Sequence, residues 1–305
     1  MEIKLFYSKD WADYELLDTG EGEKLERFGE YTFIRPFEDA VWPKSLPVSE
    51  WQKADGKFWS SKEGAKAGWT YSKDGSLGNS LKDRPFKWAM EYHGVKFFAS
   101  PTPFRHLGFF PEQASHWDFI ERELREHEKN MKRPIKFLNL FGYTGVASLF
   151  ALRTGAEVTH VDASRQSLNW AKENQELSNM GNLPMRIIED DVIKFLEREE
   201  KRGNKYDAVI MDPPKFGRGP KGEVWKIEEK LPELLLRVRK VLTDKPIFVI
   251  LTSYATDTSP LSLGYALSDA MKGFHGKVKQ GELCVVEKSN GRIIPLANTA
   301  VWIAT

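Results

Sequence analysis

The chain has 305 residues, of which 41% are hydrophobic and 29% charged, with a formal net charge of only +1. This length supports one large domain or two smaller ones, and the near-neutral charge excludes attraction to nucleic acid through a strong overall positive field. The single cysteine excludes an internal disulfide and a cysteine-ligated metal cluster. No signal peptide or membrane-spanning segment is evident. We therefore expect a cytoplasmic protein with neither a metal nor a membrane partner.

Residues 1–104 are predicted to form a small, mostly antiparallel β subdomain. Six of the ten tryptophans lie here, among segments broken by Gly, Pro and Asp. Tyr31–Arg35 and Val95–Ala99 have the composition of strands. Turns are expected at three dipeptides: Asp55-Gly56, Asp74-Gly75 and His93-Gly94. The aromatic side chains suit packing in a thin β layer, or alternatively an exposed platform on which bases stack.

A helix is predicted from Pro111, because apolar residues then recur at every third or fourth position as far as Leu124. The segment before it, residues 102–113, is dense in polar groups next to Gly and Pro. This composition makes the segment a candidate lid or site lining.

From residue 134 onward, strands and helices alternate. The apolar run Ile135–Leu140 predicts a strand buried on both faces, and the glycines at 142 and 145 would let a ligand approach the backbone after it. Thr144 is expected to cap the next helix. Five further strands are predicted to alternate with helices before a final one: 157–162, 185–191, 206–212, 246–252, 282–287 and 299–304. This order predicts a doubly wound α/β sheet with its sites at the carboxyl ends of the strands.

Acidic residues end the second, third and fourth of these strands. Asp162 lies twenty residues beyond Gly142, which suits hydrogen bonds to both hydroxyls of a ribose. Asp191 could accept from an adenine amino group while Val192 packs on the ring. Each acid taken singly is more often a helix cap, but the ordered set favours a nucleotide-like ligand.

Four segments together resemble a known family: Asn139–Gly145, Val161–Ser164, Glu189–Val192 and Asp212–Phe216. They are similar to class I S-adenosylmethionine-dependent methyltransferases, and more narrowly to the bacterial enzymes that modify large-subunit ribosomal RNA at cytosine C5 or guanine N7. The resemblance covers residues 105–305, and Arg105–Gln113 is similar to a segment that precedes the first motif in some of those enzymes. It implies a seven-stranded Rossmann-like sheet, S-adenosyl-L-methionine as the cofactor and RNA as the partner.

The resemblance also implies a set of cofactor contacts. Phe141, Tyr143, Asp162 and Asp191 would line the cofactor, with Gln113 as a further contact. The remaining predicted contacts are neighbours of these residues or lie at the fourth strand end: Gly142, Thr144, Gly145, Ala163, Ser164, Asp190, Val192 and Asp212.

Two departures from the family pattern bear on the chemistry. We expect no N-terminal RNA-binding module of the kind that many relatives carry, because the Trp-rich region stands in its place. At the end of the fifth strand, where C5 enzymes place a nucleophilic cysteine, the sequence reads Leu251–Ala255. The only cysteine, Cys284, is predicted to be a buried small residue inside a strand. Because C5 methylation needs a thiolate, these residues favour a nitrogen nucleophile, which chiefly needs to be aimed.

The fourth strand end supplies the predicted catalytic residues Asp212, Pro213, Pro214 and Phe216. The prolines stiffen the turn, so that Asp212 and nearby carbonyls can accept from an amino group. Phe216 would stack on a flipped base, or would alternatively be a core aromatic. The next loop carries basic residues suited to phosphate contacts, unless it is simply a solvated loop: Lys215, Arg218, Lys221 and Lys226.

Four functions remain open from the sequence. The first is a methyltransferase acting on a nitrogen of ribosomal or other structured RNA. The second is a methyltransferase for a small molecule or protein, which the net charge favours and the basic loop disfavours. The third is a dinucleotide-dependent oxidoreductase, disfavoured because the Gly142-x-x-Gly145 turn lacks the third glycine. The fourth is an RNA-binding relative without catalysis.

Overall fold

The computed structural model describes residues 2–60, 67–72, 86–254 and 258–305 and divides into two compact units. The larger unit comprises Met1–Tyr7, Glu112–Cys284 and Pro295–Thr305, and the smaller one comprises Ser8–Pro111 and Val285–Ile294. Each unit therefore contains segments from both ends of the sequence. The domain boundary at residues 104/105 stays a prediction.

The first strand, β1 (Ile3–Phe6), belongs to the larger unit. The elements of the smaller unit follow in chain order: β2 (Tyr14–Gly20), β3 (Glu23–Phe28), β4 (Tyr31–Pro36), helix α1 (Val48–Trp51), β5 (Gly56–Trp59), β6 (Gly68–Tyr71), β7 (Trp88–Tyr92) and β8 (Val95–Ala99). Strands β2 to β6 form one sheet in sequence order, antiparallel except for the parallel pair β4–β5, and β7 pairs with β8. The predicted small, mostly antiparallel N-terminal sheet is confirmed.

The predicted turns have different outcomes. His93 and Gly94 have φ angles of 47° and 82° and join β7 to β8, as expected for a tight hairpin. Asp55-Gly56 is not a hairpin turn, because it leads into β5, which runs parallel to β4. Asp74-Gly75 lies outside the described residues.

Packing accounts for most of the aromatic residues of the smaller unit. Phe33 is fully buried, stacks on Trp88 with ring centroids 5.9 Å apart, and meets Trp69 edge-on at 5.5 Å. Such ring contacts suit a thin β layer. The alternative of a base-stacking platform stays a prediction and is restricted to exposed rings such as Trp59 and Phe104.

Side chains of strands β2, β3 and β4 form a buried ion cluster. The Glu26 carboxylate is fully buried and accepts from Arg35 at 2.7 Å and from the Tyr14 hydroxyl at 2.9 Å, with Lys24 at 3.2 Å. Burial opposes ionisation, but the charges of Arg35 and Lys24 outweigh it and lower the pKa of Glu26 to about 2.

The larger unit continues from a 3₁₀ turn at Pro111–Gln113. Its helices are α2 (Ala114–Glu128), α3 (Val146–Leu152), α4 (Arg165–Leu177), α5 (Val192–Arg202), α6 (Ile227–Val241) and α7 (Pro260–Ala270). Its remaining strands are β9 (Lys136–Leu140), β10 (Glu157–Asp162), β11 (Met185–Glu189), β12 (Ala208–Met211), β13 (Phe216–Arg218), β14 (Val224–Lys226), β15 (Phe248–Ser253), β16 (Gly276–Val286) and β17 (Ile293–Ala304). None of the helices in the described residues is long and apolar enough to cross a membrane.

One large sheet organises this unit, with the strand order β1-β16-β17-β15-β12-β9-β10-β11. The strands from β15 to β11 in this order are parallel, and β17 is antiparallel to β15. The predicted doubly wound α/β sheet is confirmed. The eighth strand was not predicted: β1 pairs in parallel with β16 at the outer edge.

The sheet is buried because its central strands are apolar on both faces. All residues of β12 and β15 are buried, as the continuous apolar runs predict. The carboxyl ends of β9, β10, β11 and β12 meet at one edge, which brings the predicted site residues to one side of the sheet.

Candidate active site

The turn after β9 has a strained backbone. Phe141, Tyr143 and Gly145 have φ angles of 59°, 52° and 85°, in the left-handed region that non-glycine residues rarely adopt. A Cβ atom on Gly142 would lie 2.3 Å from the His160 ring, so only glycine fits at that position. Strained turns of this kind are held in place by their surroundings and are common at ligand sites.

The expected cap of the following helix is wrong. Gly145, rather than Thr144, occupies the N-cap position of α3, and no side chain caps it. Because Gly145 is left-handed, the chain enters the helix one residue later than the sequence suggests. Thr144 is buried instead, and its carbonyl accepts from Asn174 Nδ2 at 2.9 Å.

A series of neutral, hydrogen-bonded side chains supports the turn. His160 is fully buried in β10, with Nε2 3.3 Å from the Tyr143 carbonyl and Nδ1 2.9 Å from Ser148 Oγ. Asn139 donates to the same Ser148 oxygen at 2.9 Å. Burial lowers the pKa of His160 to about 4, so the ring is neutral at physiological pH. Sequence reasoning missed all three residues, since their roles arise only when β9, β10 and α3 pack together.

Asp162 ties the turn to the end of β10. One carboxylate oxygen accepts from the Tyr143 amide and the other from the Ser164 amide, both at 2.8 Å. Burial raises the pKa of Asp162, while these amides oppose the shift. A carboxylate has about four acceptor sites, and the amides of Tyr143, Ala163 and Ser164 occupy three of them, so acceptor capacity remains for a ribose hydroxyl. Ala163 follows, and Ser164 caps α4 through the Ser167 amide, as the predicted helix start requires.

The acids after β11 make structural contacts. Asp191 Oδ1 caps α5 by accepting from the Lys194 amide at 3.0 Å, and Asp190 accepts from the Asp191 amide and pairs with Arg198. Val192 is 4% exposed and belongs to the core. Capping is therefore observed for Asp191, and its contact with an adenine stays a prediction.

Asp212, at the end of β12, lies in a cluster of buried polar groups. Gln113 Nε2 is 3.0 Å from Asp212 Oδ2 and 3.3 Å from the Tyr254 hydroxyl, which also hydrogen-bonds to buried Glu112. Among the described residues, buried Asp212 Oδ1 has no hydrogen-bond partner. Burial raises the pKa of Asp212 to about 7, and the nearby charge of Glu112 adds to the shift. The structure thus brings Gln113 together with Asp212, and it adds Glu112 and Tyr254, which sequence reasoning missed.

The segment after Asp212-Pro213-Pro214 is a β-hairpin rather than a loop. Strands β13 and β14 pair in antiparallel fashion, and buried Trp225 donates to the Pro214 carbonyl at 2.6 Å. The Trp225 ring also meets Phe141 edge-on, with centroids 4.8 Å apart. The hairpin is therefore fixed to both the proline turn and the strained turn after β9. Phe216 is 56% exposed, which excludes the alternative of a core aromatic.

The four predicted basic residues lie on this hairpin or beside it, and all are exposed. Lys226 pairs with Glu229 at 2.8 Å, so its charge is partly compensated. Within the described part of the chain, neither Arg218 nor Lys221 has a carboxylate within ion-pair distance. The positive charge available to a ligand therefore centres on these two side chains.

Cys284 has the predicted properties of a buried strand residue. It is 2% exposed in β16, and burial raises the pKa of its thiol to about 12. Strands β17 and β15 separate β16 from β12, which puts the thiol on the order of 14 Å from the Asp212 strand end at ordinary strand spacing. This cysteine is neither a thiolate nor near the cluster.

Comparisons with known proteins agree on one family. A model of S-adenosylmethionine-dependent methyltransferases matches residues 116–247. Ribosomal RNA large subunit methyltransferase I from Enterobacter sp. (strain 638) is 33% identical over 128 residues, which is 42% of this chain and 30% of that protein. Ribosomal RNA large subunit methyltransferase K/L from Pseudoalteromonas translucida is 31% identical over 156 residues, which is 50% of this chain and 21% of that protein. The matches thus span less than a third of either relative.

One solved structure matches along nearly the whole chain. The crystal structure of a SAM-dependent methyltransferase from Agrobacterium tumefaciens has a TM-score of 0.89 and 39% identity, covering 99% of this chain and 94% of that one. This likeness includes the smaller unit, which the family model does not reach.

Proposed function

Because the chain belongs to the S-adenosylmethionine-dependent methyltransferases, we propose that it methylates a base nitrogen of ribosomal or other structured RNA. S-adenosylmethionine is the methyl donor of the family, as the sequence predicts. The RNA substrate is part of the proposal, since the matches cover only part of the RNA-modifying relatives. A cytoplasmic location, where bacterial ribosomal RNA is found, belongs to the same proposal.

The residues around the strained turn suit the methyl donor. The turn of residues 141–145 would approach the donor, with Asp162 accepting from the ribose hydroxyls and Val192 packing on the adenine. The remaining proposed contacts are Gly142, Thr144, Ala163, Ser164, Asp190, Asp191, Asp212 and Gln113. A donor bound along these strand ends would direct its methyl group toward the end of β12.

The observation that carries the proposal is the under-partnered carboxylate at that strand end. Asp212 Oδ1 is buried without a partner among the described residues, next to two prolines and an exposed phenylalanine. An amino group donating to this oxygen would be held in place for attack on the methyl carbon. The new N–C bond forms from the nitrogen lone pair, the C–S electron pair stays on sulfur, and the displaced N–H proton passes to the Asp212 carboxylate.

The position and state of Cys284 argue against carbon methylation at C5. That reaction needs a thiolate that adds to C6 of the pyrimidine. The one cysteine is buried, protonated and three strands away from β12. A nitrogen nucleophile needs no covalent intermediate, so the groups around Asp212 suffice for it.

The hairpin β13–β14 supports RNA as the substrate class. Phe216 could stack on a base turned out of its helix, and Arg218 and Lys221 could contact flanking phosphates. Trp225 anchors the hairpin to the Pro214 carbonyl, two residues after Asp212. A small methyl acceptor would not need an exposed basic hairpin.

Methyl transfer to RNA from a strain lacking the gene tests the proposal directly. The purified protein is given isotopically labelled S-adenosylmethionine and ribosomal RNA from the deleted strain or from the rescued one. We expect label only in RNA from the deleted strain, with nucleoside mass spectrometry locating the methyl group on a base nitrogen. A methyl group on C5, or label that never enters RNA, would overturn the nitrogen or the RNA assignment respectively.

A salt titration tests the role of the hairpin. Changing Arg218 and Lys221 together to Gln should weaken RNA binding and lower its salt slope by roughly 1.4 to 1.8, if each residue meets one phosphate. Lys226→Gln is the matched control, because the ion pair with Glu229 already offsets that charge. Filter binding at several salt concentrations gives both slopes. Equal slopes for the wild type and the double variant would move a small-molecule or protein acceptor ahead.

A further inference from the structure

A continuous line of hydrogen-bonding groups runs from Asp212 into the core of the larger unit. The Asp212 carboxylate is 3.0 Å from the Gln113 amide, which is 2.9 Å from His116 Nδ1. His116 Nε2 is 3.1 Å from Thr299 Oγ1, which is 3.1 Å from the Leu251 carbonyl oxygen. The side chains of Gln113, His116 and Thr299 are all buried, so water does not substitute for these partners.

The proton count along this line limits its possible states. Burial lowers the pKa of His116 to about 3, so the ring stays neutral and carries one N–H. Thr299 has one hydroxyl proton and two neighbours that could accept it. The oxygen and nitrogen of the Gln113 amide have almost the same shape, so a half-turn exchanges donor and acceptor without repacking.

Two arrangements follow from this count, and in the second the Tyr254 hydroxyl, 3.3 Å from the Gln113 amide, donates to the Gln113 oxygen instead of to Glu112. When Asp212 is ionised, Gln113 donates to it and accepts from His116 Nδ1–H, and Thr299 donates to Nε2. When Asp212 is protonated, the Gln113 oxygen accepts from the carboxylic acid and its NH₂ donates to bare Nδ1. His116 then donates from Nε2–H to Thr299, and Thr299 donates to the Leu251 carbonyl.

We propose that Gln113, His116 and Thr299 are positioning residues whose hydrogen bonds reverse direction together when Asp212 gains or loses a proton. This line of hydrogen bonds keeps the buried carboxyl group bonded in both states, which avoids the cost of leaving a buried polar group unsatisfied. Its use in catalysis rests on the proposed transfer to a nitrogen, in which Asp212 takes up the displaced proton. Reversal would let the site hold that proton without moving the Asp212 side chain.

The other ionisable groups near Asp212 are Glu112 and Tyr254. The charge of Glu112 favours the protonated form of Asp212, and burial raises the pKa of Tyr254 well above its usual value. Tyr254 therefore stays a phenol, and Asp212, with its pKa of about 7, is the group that titrates near neutrality. The reversal is expected in that pH range.

Nitrogen NMR of the full-length protein labelled with ¹⁵N-histidine tests the proposal. The ring nitrogen that bears hydrogen is identified for His116 between pH 5.5 and 8.5, with the His116→Gln variant giving the assignment. We expect Nε2–H at the acid end, Nδ1–H at the alkaline end and no protonated imidazolium. The same tautomer at both ends would overturn the proposal.

Two variants test whether a change of the His116 tautomer is transmitted from Asp212 through the hydrogen bonds of Gln113 or has another cause. Asp212→Asn removes the titrating group and Gln113→Leu removes the link, so each should make the His116 tautomer independent of pH. A tautomer that still changes near pH 7 in folded Asp212→Asn protein would contradict the proposal. The titration needs no RNA and no methyl acceptor, so its failure is distinguishable from a failure of the proposed function.

Discussion

The two units each bury a carboxylate, with opposite consequences. In the smaller unit, Glu26 is surrounded by Arg35, Lys24 and Tyr14, and its pKa falls to about 2. In the larger unit, Asp212 accepts one hydrogen bond from the Gln113 amide and lies near a second acid, Glu112. Its pKa rises to about 7. The first group stays charged at any physiological pH, and the second can exchange a proton near neutrality.

The difference distinguishes a structural charge from the one that we propose takes part in the reaction. A buried carboxylate with complete partners has no hydrogen-bonding capacity left for a ligand, and its removal leaves buried cations unpaired. An incompletely partnered carboxylate can receive a donor from outside the protein and is typical of reactive sites. Variants at the two positions should therefore affect different properties.

The largest expected effect is on stability, from Glu26→Ala. This change leaves Arg35 and Lys24 without their carboxylate, so the free energy of unfolding should fall by roughly 3–5 kcal/mol. Urea unfolding at pH 7, followed by tryptophan fluorescence, measures the loss. Glu15→Ala is the control, because its pairs with Arg27 and Lys288 are partly exposed and should contribute below about 1 kcal/mol.

The pH dependence sharpens this first prediction. The folded pKa of Glu26 is lowered, so its contribution is complete above the unfolded value near 4.5 and is lost as the pH falls toward 2. The Glu26→Ala variant should lack this part of the acid-induced loss of stability. Equal losses for the two proteins between pH 5 and 2 would mean that Glu26 does not titrate as described.

Asp212→Asn should mainly affect turnover. Loss of a charged acceptor and proton acceptor at the reacting nitrogen should lower kcat/KM by at least about 100-fold. In the wild type, kcat/KM should rise with pH through about 7 as Asp212 ionises. Single-turnover methylation between pH 5.5 and 8.5 gives both results, and a variant that keeps the wild-type rate would remove Asp212 from the mechanism.

The same variant should show the opposite stability trend to Glu26→Ala. The folded pKa of Asp212 is raised, so the wild type loses stability as the pH increases from about 4 to about 7, by ~1.4 kcal/mol for each step of one in pH. Asn does not titrate, so the melting temperature of the variant relative to wild type should be higher at pH 8 than at pH 5. A difference of the opposite sign would contradict the assignment of Asp212 as the group with the raised pKa.

Asp162→Ala should weaken the binding of the cofactor. Two ribose hydroxyls would lose a charged acceptor, each such bond contributing roughly 1.5–3 kcal/mol. Calorimetry with S-adenosylmethionine measures the loss. Asp162→Asn is the control, since its amide oxygen can still accept from Tyr143 or Ser164 and part of the affinity should remain. Wild-type affinity in a folded Asp162→Ala protein would remove this residue from the cofactor site.

The smallest effect is expected for Cys284→Ser. Burial raises the pKa of this thiol to about 12, and the thiol lies outside the Asp212 cluster. Turnover should stay within about a factor of two of the wild type, because no step needs a thiolate. Complete loss of turnover with an unchanged melting temperature would bring back a covalent mechanism.

Sequence reasoning located the parts of the site that depend on neighbours in the chain. The glycine turn, the strand-end acids and the Ser164 cap follow from local periodicity and turn chemistry. The hairpin was missed because β13 and β14 have only three residues each, too few for a visible alternation. Thr144 was wrongly expected as a cap, since the sequence does not show that Gly145 adopts a left-handed conformation and that the helix begins one residue later.

Hydrogen bonds that depend on tertiary contacts could not be predicted, although the family resemblance placed Gln113 and Asp212 at one cofactor site. Gln113 and Asp212 are 99 residues apart, and their contact requires the 3₁₀ turn at Pro111–Gln113 to lie against the end of β12. The partner of β1 lies near the other end of the chain, so a four-residue strand gave no signal of its own. Long-range contacts of this kind are set by the packing of whole elements.

The pairing of β1 with β16 also has a consequence for synthesis on the ribosome. The first strand cannot pair until residues 280–283 have been synthesised. In the smaller unit, Thr19 hydrogen-bonds to Glu287, which lies 268 residues later in the chain. Neither unit can be completed while the carboxyl-terminal segment is still inside the ribosome. Contacts of such long sequence separation slow folding, so a nascent chain stalled before residue 276 would carry two incomplete units and would be a natural substrate for chaperones.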